Sequence, residues 1–347
     1  MALQAVDDGL RLEGDVMPPK AATVDSYLAD WAGQDGAKVE VAGVIRALLE
    51  ASRRLAARIA EGALPGDPGL PAGSNTDGDT QKRIDVASHD LFVELLTEAG
   101  VAIILSEEAE APVIGKAGGR LAVAVDPLDG SSNVGTGAPL GTIFSILPAE
   151  GDDPFLVPGR RQIAAGYVSY GHTVDLGFSV GHGVVLATFS PSQQTFLVTG
   201  SATSLAGDAK ELAFNASVTP HLAPAMRRFV EDCWTGKAGP RGKSYNMRWL
   251  GALVGDLHRI LKRKGLFFYV GDARPGYAQG RLRHVYECNP IAFLVEQAGG
   301  KATDGVTPLL DLVPTGHHAR VPLVFGAAAE VEAVADYLQA GTAQAAE

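Results

Sequence analysis

The chain has 347 residues, of which 46% are hydrophobic and 20% are charged, a composition typical of a globular protein with an ample core. Its formal net charge of −11 at pH 7 argues against a nucleic-acid partner, because such partners attract proteins with an excess of Lys and Arg. Its two cysteines, Cys233 and Cys288, lie too far apart to indicate a disulfide framework, a zinc site or a dithiol redox motif.

The first 38 residues predict a flexible leader that carries one short helix. Residues 1–22 show no hydrophobic periodicity, whereas residues 23–32 suit a helix with Thr23 as its N-cap. The leader has acidic residues where a signal peptide has basic ones, and no apolar stretch reaches the roughly 18 residues of a membrane span. We therefore expect a cytoplasmic protein with no membrane partner.

A long amphipathic helix is predicted over residues 39–62, where Val41, Ile45, Leu48 and Leu55 lie on one face. This pattern indicates a helix that packs on the core.

The segment that follows, residues 64–85, is polar and rich in glycine and predicts a long loop. Loops of this length in compact proteins are often functional, although its acids can also be solvated side chains. Asp85, at its end, can cap the next helix, in which Phe92 and Leu96 recur at helical spacing.

Acidic residues follow two predicted buried strands. Strand 101–105 leads into Glu107–Glu108, and strand 121–125 leads into Asp126 and Asp129. If the strands are neighbours, the carboxylates meet at one edge of the sheet, where α/β proteins commonly bind ligands. A solvated acidic loop and an Asp-rich turn are the alternatives.

Gly130, Ser131 and Ser132 extend the second acidic segment with backbone N–H groups and hydroxyls that can hold a phosphate. Carboxylate oxygens are typical ligands of Mg²⁺. A cation site beside a phosphate cradle indicates metal-assisted phosphoryl chemistry.

The rest of the chain predicts short strands with few helices between them, an α+β pattern. Strands are predicted at 141–147, 163–169, 184–188, 194–198 and 265–270, turns at 171–183, and helices at 224–234 and from Asn289, which can act as a cap with Pro290 in the first turn. Residues 199–211 are the candidate boundary between two domains.

Two strings resemble signatures of the class I fructose-1,6-bisphosphatases, a family of lithium-sensitive sugar phosphatases. They are DPLDGSSN at residues 126–133 and VYECNP at residues 285–290, and the resemblance covers about residues 39–341. It implies a layered α/β/α/β/α sandwich of the α+β class, with an N-terminal metal-binding domain at 39–204, a C-terminal substrate-binding domain at 205–341 and a tail at 342–347.

The resemblance also implies roles for individual residues. Two or three Mg²⁺ ions per site, or Mn²⁺ in their place, would be held by Glu107, Asp126, the carbonyl of Leu128, Asp129 and Glu287. The catalytic residues would be Glu108 and Asp85, which act on the attacking water, and Asp79, which enters on a mobile loop. The substrate would be bound by Asp129, Gly130, Ser131 and Ser132 at the phosphate that leaves, and by Asn215, Arg248, Tyr269 and Arg281 at the distal phosphate, with Arg248 reaching in from a neighbouring subunit.

Several positions in the distal set depart from the family pattern. Arg281 stands where the family usually has a lysine, and Trp249 replaces a tyrosine. The stretch after Asn215, residues 216–218, lacks a tyrosine that usually binds phosphate.

Regulation is expected to differ as well. Many members of the family are inhibited by AMP, which they bind with a Lys-Tyr pair and an arginine. Those positions are Arg120, Leu121 and Pro148 in this chain. We therefore expect weak or absent inhibition by AMP.

The implied activity is hydrolysis of the 1-phosphate of fructose 1,6-bisphosphate to fructose 6-phosphate by a magnesium-dependent homotetramer, in gluconeogenesis or the Calvin cycle. Sedoheptulose 1,7-bisphosphate is an alternative or additional substrate, because it shares the end that is cleaved. A non-catalytic sugar-phosphate sensor is an alternative of another class, although every expected metal carboxylate is present.

Overall fold

The structure is a computed structural model that describes residues 22–74 and 80–345. Asp79, expected on a loop near the metal, lies outside the described residues. Within the described part of the chain seven α-helices are formed: α1 (Val24–Ala32), α2 (Gly36–Ala60), α3 (Arg83–Glu98), α4 (Pro224–Trp234), α5 (Leu253–Arg263), α6 (Asn289–Gln297) and α7 (Ala328–Ala345).

Fifteen strands, again counted over the described residues, form three sheets. They are β1 (Pro71–Ser74), β2 (Thr80–Lys82), β3 (Ile103–Ser106), β4 (Val113–Ile114), β5 (Leu121–Asp129), β6 (Leu140–Pro148), β7 (Ala164–Tyr170), β8 (Val174–Ser179), β9 (Val185–Ser190), β10 (Thr195–Ser201), β11 (Glu211–Ala213), β12 (Asn246–Met247), β13 (Leu266–Tyr269), β14 (Lys301–Thr303) and β15 (Leu323–Gly326). β1 and β2 pair only with each other.

The largest sheet has eight strands in the order β10-β9-β8-β7-β6-β5-β3-β4. β3 and β5 are its parallel pair, with Ser106 opposite Val125, and the other neighbours are antiparallel. Every residue of β5 is buried, as its unbroken apolar run predicts. Because β3 and β5 run in the same direction, the acids that follow β3 and those in the last residues of β5 lie at one edge of the sheet.

The second sheet has five strands in the order β12-β11-β13-β15-β14. β11 is parallel to both β12 and β13, whereas β15 is antiparallel to β13 and β14. The carboxyl ends of β11, β12 and β13 therefore meet at one edge of this sheet.

Helices cover both faces of both sheets. α1, α2 and α3 pack on the outer face of the eight-stranded sheet, through residues such as Ile45 and Leu48. α5 and α6 lie between the two sheets, and α4 and α7 cover the outer face of the five-stranded sheet. Alternate residues of β13 face the two cores, Phe267 inward and Phe268 outward. The α+β class and the expected α/β/α/β/α layering are confirmed.

Two helices begin where the sequence predicts. The Thr23 side chain accepts a hydrogen bond of 3.0 Å from the backbone N–H of Ser26, which caps α1, and α4 has the predicted bounds 224–234. α2 begins three residues earlier than residue 39, because Asp35 caps it by accepting from Ala37 N at 3.0 Å.

Both predicted caps near the acidic residues are wrong. α3 begins at Arg83, so Asp85 is its third residue, and Asp85 Oδ2 accepts a hydrogen bond of 2.6 Å from the preceding Lys82 N–H. Asn289 lies inside a continuous helical path, because residues 284–288 form one π-helical turn that leads directly into α6. Such turns alter the direction of side chains and are frequent at functional sites.

Two regions predicted to be irregular contain strands. The expected loop at 64–85 includes β1 and β2, and the expected turns at 171–183 include β8. Gly177 in β8 reads as a turn residue, but it lies against the Tyr167 ring, where a Cβ would be 2.4 Å from a ring carbon. The glycine therefore permits a close approach inside the sheet.

Candidate active site

A cleft of about 420 Å³ opens at the shared carboxyl ends of β3 and β5. It brings together residues that are widely separated in the chain. The residues that line it are Gln81, Lys82, Asp85, Glu107, Glu108, Asp126, Leu128, Asp129, Gly130, Ser131, Ser132, Arg281 and Glu287. All the expected metal ligands and two of the three expected catalytic residues are therefore in one place.

Three carboxylates form the centre of the cleft. Asp126, Asp129 and Glu287 are all buried and offer oxygens that lie within 4.8 Å of one another. Asp126 also shares a side-chain hydrogen bond with Glu107. Burial and the neighbouring carboxylates raise the pKa of Asp126 and of Glu287 well above the usual range, and burial raises the pKa of Asp129 to about 7.

The turn between Asp126 and Asp129 is held by the backbone. The β5–β6 ladder is irregular between these residues, where Pro127 has no N–H to donate. Asp126 Oδ1 accepts a hydrogen bond of 3.0 Å from Leu128 N, and Asp129 Oδ2 accepts one of 2.9 Å from Val254 N at the start of α5. The N-terminus of a helix thus supports a buried carboxylate.

Glu287 reaches the cleft from the π-helical turn. One of its carboxylate oxygens accepts a hydrogen bond from the backbone N–H of Arg283. The Arg283 guanidinium is buried and lowers the pKa of Glu287 and of Glu108, although burial has the larger, opposite effect on both. Tyr286 OH accepts from Arg283 Nε at 3.2 Å and is 3.0 Å from His318 Nδ1, so side chains outside the cleft fix the direction of the guanidinium.

Glu108 and Asp85 lie on the side of the cleft next to α3. Glu108 Oε2 accepts a hydrogen bond of 2.6 Å from Gln81 Nε2, and burial raises the pKa of Glu108 to about 7. Burial also raises the pKa of Asp85, whose Oδ1 is buried without a hydrogen-bond partner among the described residues. A buried carboxylate oxygen of this kind calls for a cation, a water molecule or a proton.

Residues 130–133 turn sharply away from β5. Gly130 has a left-handed backbone with φ of 77°, and a Cβ there would lie 2.8 Å from the Cβ of Ala252. Ser131–Asn133 follow as one 3₁₀ turn, whose backbone is held by Lys82 Nζ donating to the Ser131 carbonyl. Gly130, Ser131 and Ser132 line the cleft together with the acids, and such residues offer the N–H and hydroxyl donors of a phosphate cradle.

Two residues of the cleft, Gln81 and Lys82, were missed by the sequence analysis. They lie within the string TQKRID, and their signal was their position immediately before Asp85. Gln81 bonds to Glu108, and Lys82 bonds to the Ser131 carbonyl, so both connect the start of α3 with the cleft.

The four residues expected at a distal phosphate lie in the C-terminal half. Arg281 lines the cleft, whereas Asn215, Arg248 and Tyr269 are not among its lining residues. These three lie at or just beyond the carboxyl ends of β11, β12 and β13, which are neighbouring parallel strands. They therefore share one edge of the five-stranded sheet.

Each of these three side chains has its own local environment. Asn215 Oδ1 accepts hydrogen bonds from Ser217 N at 3.0 Å and Ser217 Oγ at 2.6 Å. Arg248 is exposed and donates to the Met247 carbonyl at 2.8 Å. Tyr269 packs edge-on against Phe267, with ring centres 6.4 Å apart.

The donor set of the cleft fits a hard divalent cation. All of the candidate ligands offer oxygen, which Mg²⁺ and Mn²⁺ prefer, and His and Cys are absent from the residues that line the cleft. Three buried carboxylates so close together repel one another unless a cation or protons neutralise them. The acidic triad can therefore bind a metal ion.

None of the described helices combines the length and apolar character needed to cross a membrane.

Two family models match the chain. One, described as the N-terminal domain of fructose-1-6-bisphosphatase, matches residues 23–201, and the other, described as its C-terminal domain, matches residues 205–339. The class 1 fructose-1,6-bisphosphatases of Brucella anthropi and Brucella suis are each 60% identical to this chain over 328 residues, which cover 94% of this chain and 96% of the relative.

Solved structures of similar proteins agree with these matches. The holo form of Leishmania major fructose-1,6-bisphosphatase has a TM-score of 0.86 at 28% identity, covering 92% of this chain and 100% of that chain. The T-state structure of the same Leishmania major protein has a TM-score of 0.81 at 26% identity, covering 92% and 99% of the two chains.

Proposed function

Because the chain belongs to the fructose-1,6-bisphosphatase family, we propose that it hydrolyses the 1-phosphate of fructose 1,6-bisphosphate to give fructose 6-phosphate and phosphate. The observation that carries the proposal is the buried triad of Asp126, Asp129 and Glu287, which shares one cleft with the turn at Gly130–Ser132. Such a reaction serves gluconeogenesis or the Calvin cycle.

The metal in this proposal is Mg²⁺, two or three ions per site, with Mn²⁺ as a substitute. The residues that would hold it are Glu107, Asp126, the carbonyl of Leu128, Asp129 and Glu287. When bound, the ions supply positive charge to the phosphoryl oxygens and to the oxygen of the leaving sugar.

Glu108 and Asp85 prepare the water for attack. A carboxyl with a pKa of about 7, as at Glu108, is suited to accept a proton near neutral pH. Gln81 fixes one oxygen of Glu108 and Lys82 N fixes one oxygen of Asp85, so each carboxylate keeps its other oxygen for the water or a metal. Asp79 would complete this set, as the family resemblance leads us to expect.

The two phosphates of the substrate are held by different elements. The backbone of Gly130 and the hydroxyls of Ser131 and Ser132 hold the phosphate that leaves. The distal phosphate is bound by the set expected from the sequence, Asn215, Tyr269, Arg281 and, from a neighbouring subunit, Arg248. The position of the first three around the cleft and the adjacent sheet edge supports this assignment.

A phosphate-release assay tests the proposal. We expect turnover of fructose 1,6-bisphosphate with Mg²⁺, inhibition by lithium and no turnover after EDTA treatment. The same assay with sedoheptulose 1,7-bisphosphate shows whether that compound is also a substrate. Full activity of a metal-free preparation would contradict the scheme.

Replacement of one metal ligand gives a sharper test. We expect Asp126→Ala to reduce kcat by about three orders of magnitude or more, because a ligand at the reacting phosphate is lost. Its circular dichroism spectrum should match that of the wild type, since among the described residues the Asp126 side chain bonds to the main chain only at Leu128 N. A merely twofold loss would mean that the metal binds elsewhere.

The assembly and location are further parts of the proposal. We propose a cytoplasmic homotetramer, as the family resemblance and the sequence analysis lead us to expect. Light scattering during size-exclusion chromatography measures the assembly, and a monomer that remains fully active would remove the role proposed for Arg248 of a neighbouring subunit.

A further inference from the structure

Three side chains in the loop after β13 form a stack beside the cleft. The guanidinium carbon of Arg274 lies 4.5 Å from the ring centre of Tyr277, and that of Arg281 lies 4.8 Å from the same centre. We call Arg274, Tyr277 and Arg281 the Arg-Tyr-Arg stack. One of its members, Arg281, also lines the candidate active site.

Main-chain hydrogen bonds hold the loop at Tyr277. Tyr277 N donates to the Arg274 carbonyl at 3.1 Å, and the Tyr277 carbonyl accepts from Asp272 N at 3.1 Å and from Gly280 N at 3.0 Å. Because these bonds involve only the main chain, replacing the Tyr277 side chain leaves them in place.

Gly280 directs the chain from Tyr277 to Arg281. It has a left-handed backbone with φ of 73°, and a Cβ there would lie 3.1 Å from the Tyr269 carbonyl. The loop therefore packs tightly against the end of β13 at Gly280, and Arg281 is the next residue in the chain.

The two arginines of the stack differ in their partners. Arg274 is paired with Asp272, which accepts from Arg274 Nε at 2.9 Å and from Arg274 Nη2 at 2.6 Å. Arg281 has no acidic or carbonyl partner among the described residues, and its guanidinium contacts the Tyr277 ring. Its N–H donors thus remain available to an anion in the cleft.

We propose that Tyr277 is a positioning residue that holds the Arg281 guanidinium for the distal phosphate of the substrate. The inference rests on the proposed function. A guanidinium over an aromatic ring gains cation–π attraction while its N–H groups stay in the plane of the group, directed outward. Two such groups can then contact a phosphate together. A lysine ammonium can also lie over an aromatic ring, but it has no planar fork of N–H groups for the ring to orient.

The test compares two substrates with three variants. Cation–π contacts at exposed sites are worth about 0.5–1 kcal/mol, so we expect Tyr277→Leu to raise KM for fructose 1,6-bisphosphate by about twofold to fivefold. kcat should change little. Tyr277→Phe, which keeps the ring, should restore the wild-type KM. Gln279→Ala, an exposed change in the same loop, is the matched control.

Fructose 1-phosphate, which lacks the distal phosphate, separates positioning from a structural role. The KM of Tyr277→Leu for this substrate should equal that of the wild type, because no distal phosphate is present for Arg281 to bind. An equal rise in KM for both substrates would overturn the inference.

A double-mutant cycle with Arg281→Ala supplies the second test. With alanine at position 281, the Tyr277→Leu change should have little further effect on KM, since no cation remains at this position for the ring to hold. Additive effects would mean that the two residues act independently and would overturn the inference. If the wild type hydrolyses the bisphosphate and Tyr277→Leu has the same KM, this inference alone is refuted. If the wild type does not hydrolyse the bisphosphate, the proposed function is refuted as well.

Discussion

At the residue scale, the cleft is lined by carboxylates whose charged form is destabilised by burial. Asp129 has a pKa of about 7, against 3.8 for an ordinary aspartate, and the pKa of Asp126 and of Glu287 is also raised. Each shift has burial as its largest cause, and charged neighbours add to it. Without a bound cation, the folded protein therefore binds protons at these sites more tightly than the unfolded chain does.

This difference predicts how the stability of the metal-free protein depends on pH. A carboxyl with a raised pKa stabilises the folded state most below its unfolded pKa, and that stability is lost as pH rises through the folded pKa. We expect the Tm of EDTA-treated protein to fall between about pH 5 and pH 8, by several degrees. Added Mg²⁺ should reverse the fall at pH 8.

Asp129→Asn is the control for that measurement, because it removes one titrating group from the triad. Its Tm should depend less on pH, and Mg²⁺ should stabilise it less than it stabilises the wild type. An increase in the Tm of the metal-free wild type over the same pH range would contradict the account. Differential scanning fluorimetry across buffers measures both proteins in parallel.

At the element scale, the turn after β5 is the critical segment. Gly130 and Gly135 both have left-handed backbones, with φ of 77° and 80°. A Cβ at Gly130 would lie 2.8 Å from Ala252 Cβ, whereas a Cβ at Gly135 would have nothing within 4 Å. The two positions share the same backbone strain and differ in the space available.

We therefore expect Gly130→Ala to be far more damaging than Gly135→Ala. The added methyl group at Gly130 must displace either the phosphate turn or the start of α5, which holds Asp129. kcat should fall by about a hundredfold or more at Gly130 and by only a fewfold at Gly135. Steady-state kinetics with a Tm measurement for each variant checks this, and equal losses of activity would refute the role of the contact.

Much of the fold was predictable at this scale, for physical reasons. The sequence predicts β5 because an unbroken run of apolar residues has few alternatives to a buried strand, and it predicts α4 because Pro224 marks the first turn. It does not predict β8, because Gly177 resembles a turn residue, although this glycine makes room for the Tyr167 ring.

The candidate site was predictable in part. The acidic strings alone indicate a cation site, and the structure brings the residues named for it into one cleft. The π-helical turn before α6 could not be predicted, because it depends on tertiary contacts such as Tyr286 with His318. The stacking of Arg281 on Tyr277 was equally invisible, because no periodic pattern connects the two residues.

At the scale of the whole molecule, the two halves share a core. The cluster between the sheets contains Ile143 and Tyr167 from the first half with Val254, Leu257 and Leu294 from the second. Tyr167 OH also lies 2.9 Å from the ring Nδ1 of His258. The domain division at residue 204 remains a prediction, but neither side of it buries this cluster alone.

The shared core predicts that the halves unfold together. We expect one transition by both circular dichroism and tryptophan fluorescence, with the same midpoint in urea. A fragment of residues 205–347 should lack stable tertiary structure, since the apolar faces of α5 and α6 would be exposed. Two separated transitions, or a fragment with a cooperative unfolding curve, would contradict this prediction.

The expected insensitivity to AMP also concerns the whole molecule, because inhibition depends on a site away from the cleft. The Arg120 side chain is engaged by Glu40, whose carboxylate accepts from Arg120 Nε at 3.0 Å. Leu121 offers no hydroxyl, and Pro148 offers no positive charge. We therefore expect AMP to inhibit only at millimolar concentrations, if at all. Steady-state inhibition measured at saturating Mg²⁺ checks this, and an inhibition constant in the micromolar range would contradict it.

Asp126 and Glu287 stand about 160 positions apart in the polypeptide, yet their oxygens converge in one small volume. A divalent ion coordinated by both would fasten β5 to the turn before α6, so that separating these two elements would require the ion to leave first. Ion concentration would then govern resistance to proteolysis as well as turnover. During synthesis, residue 287 must also leave the ribosome before the metal site can form, so protease resistance and turnover both arise late.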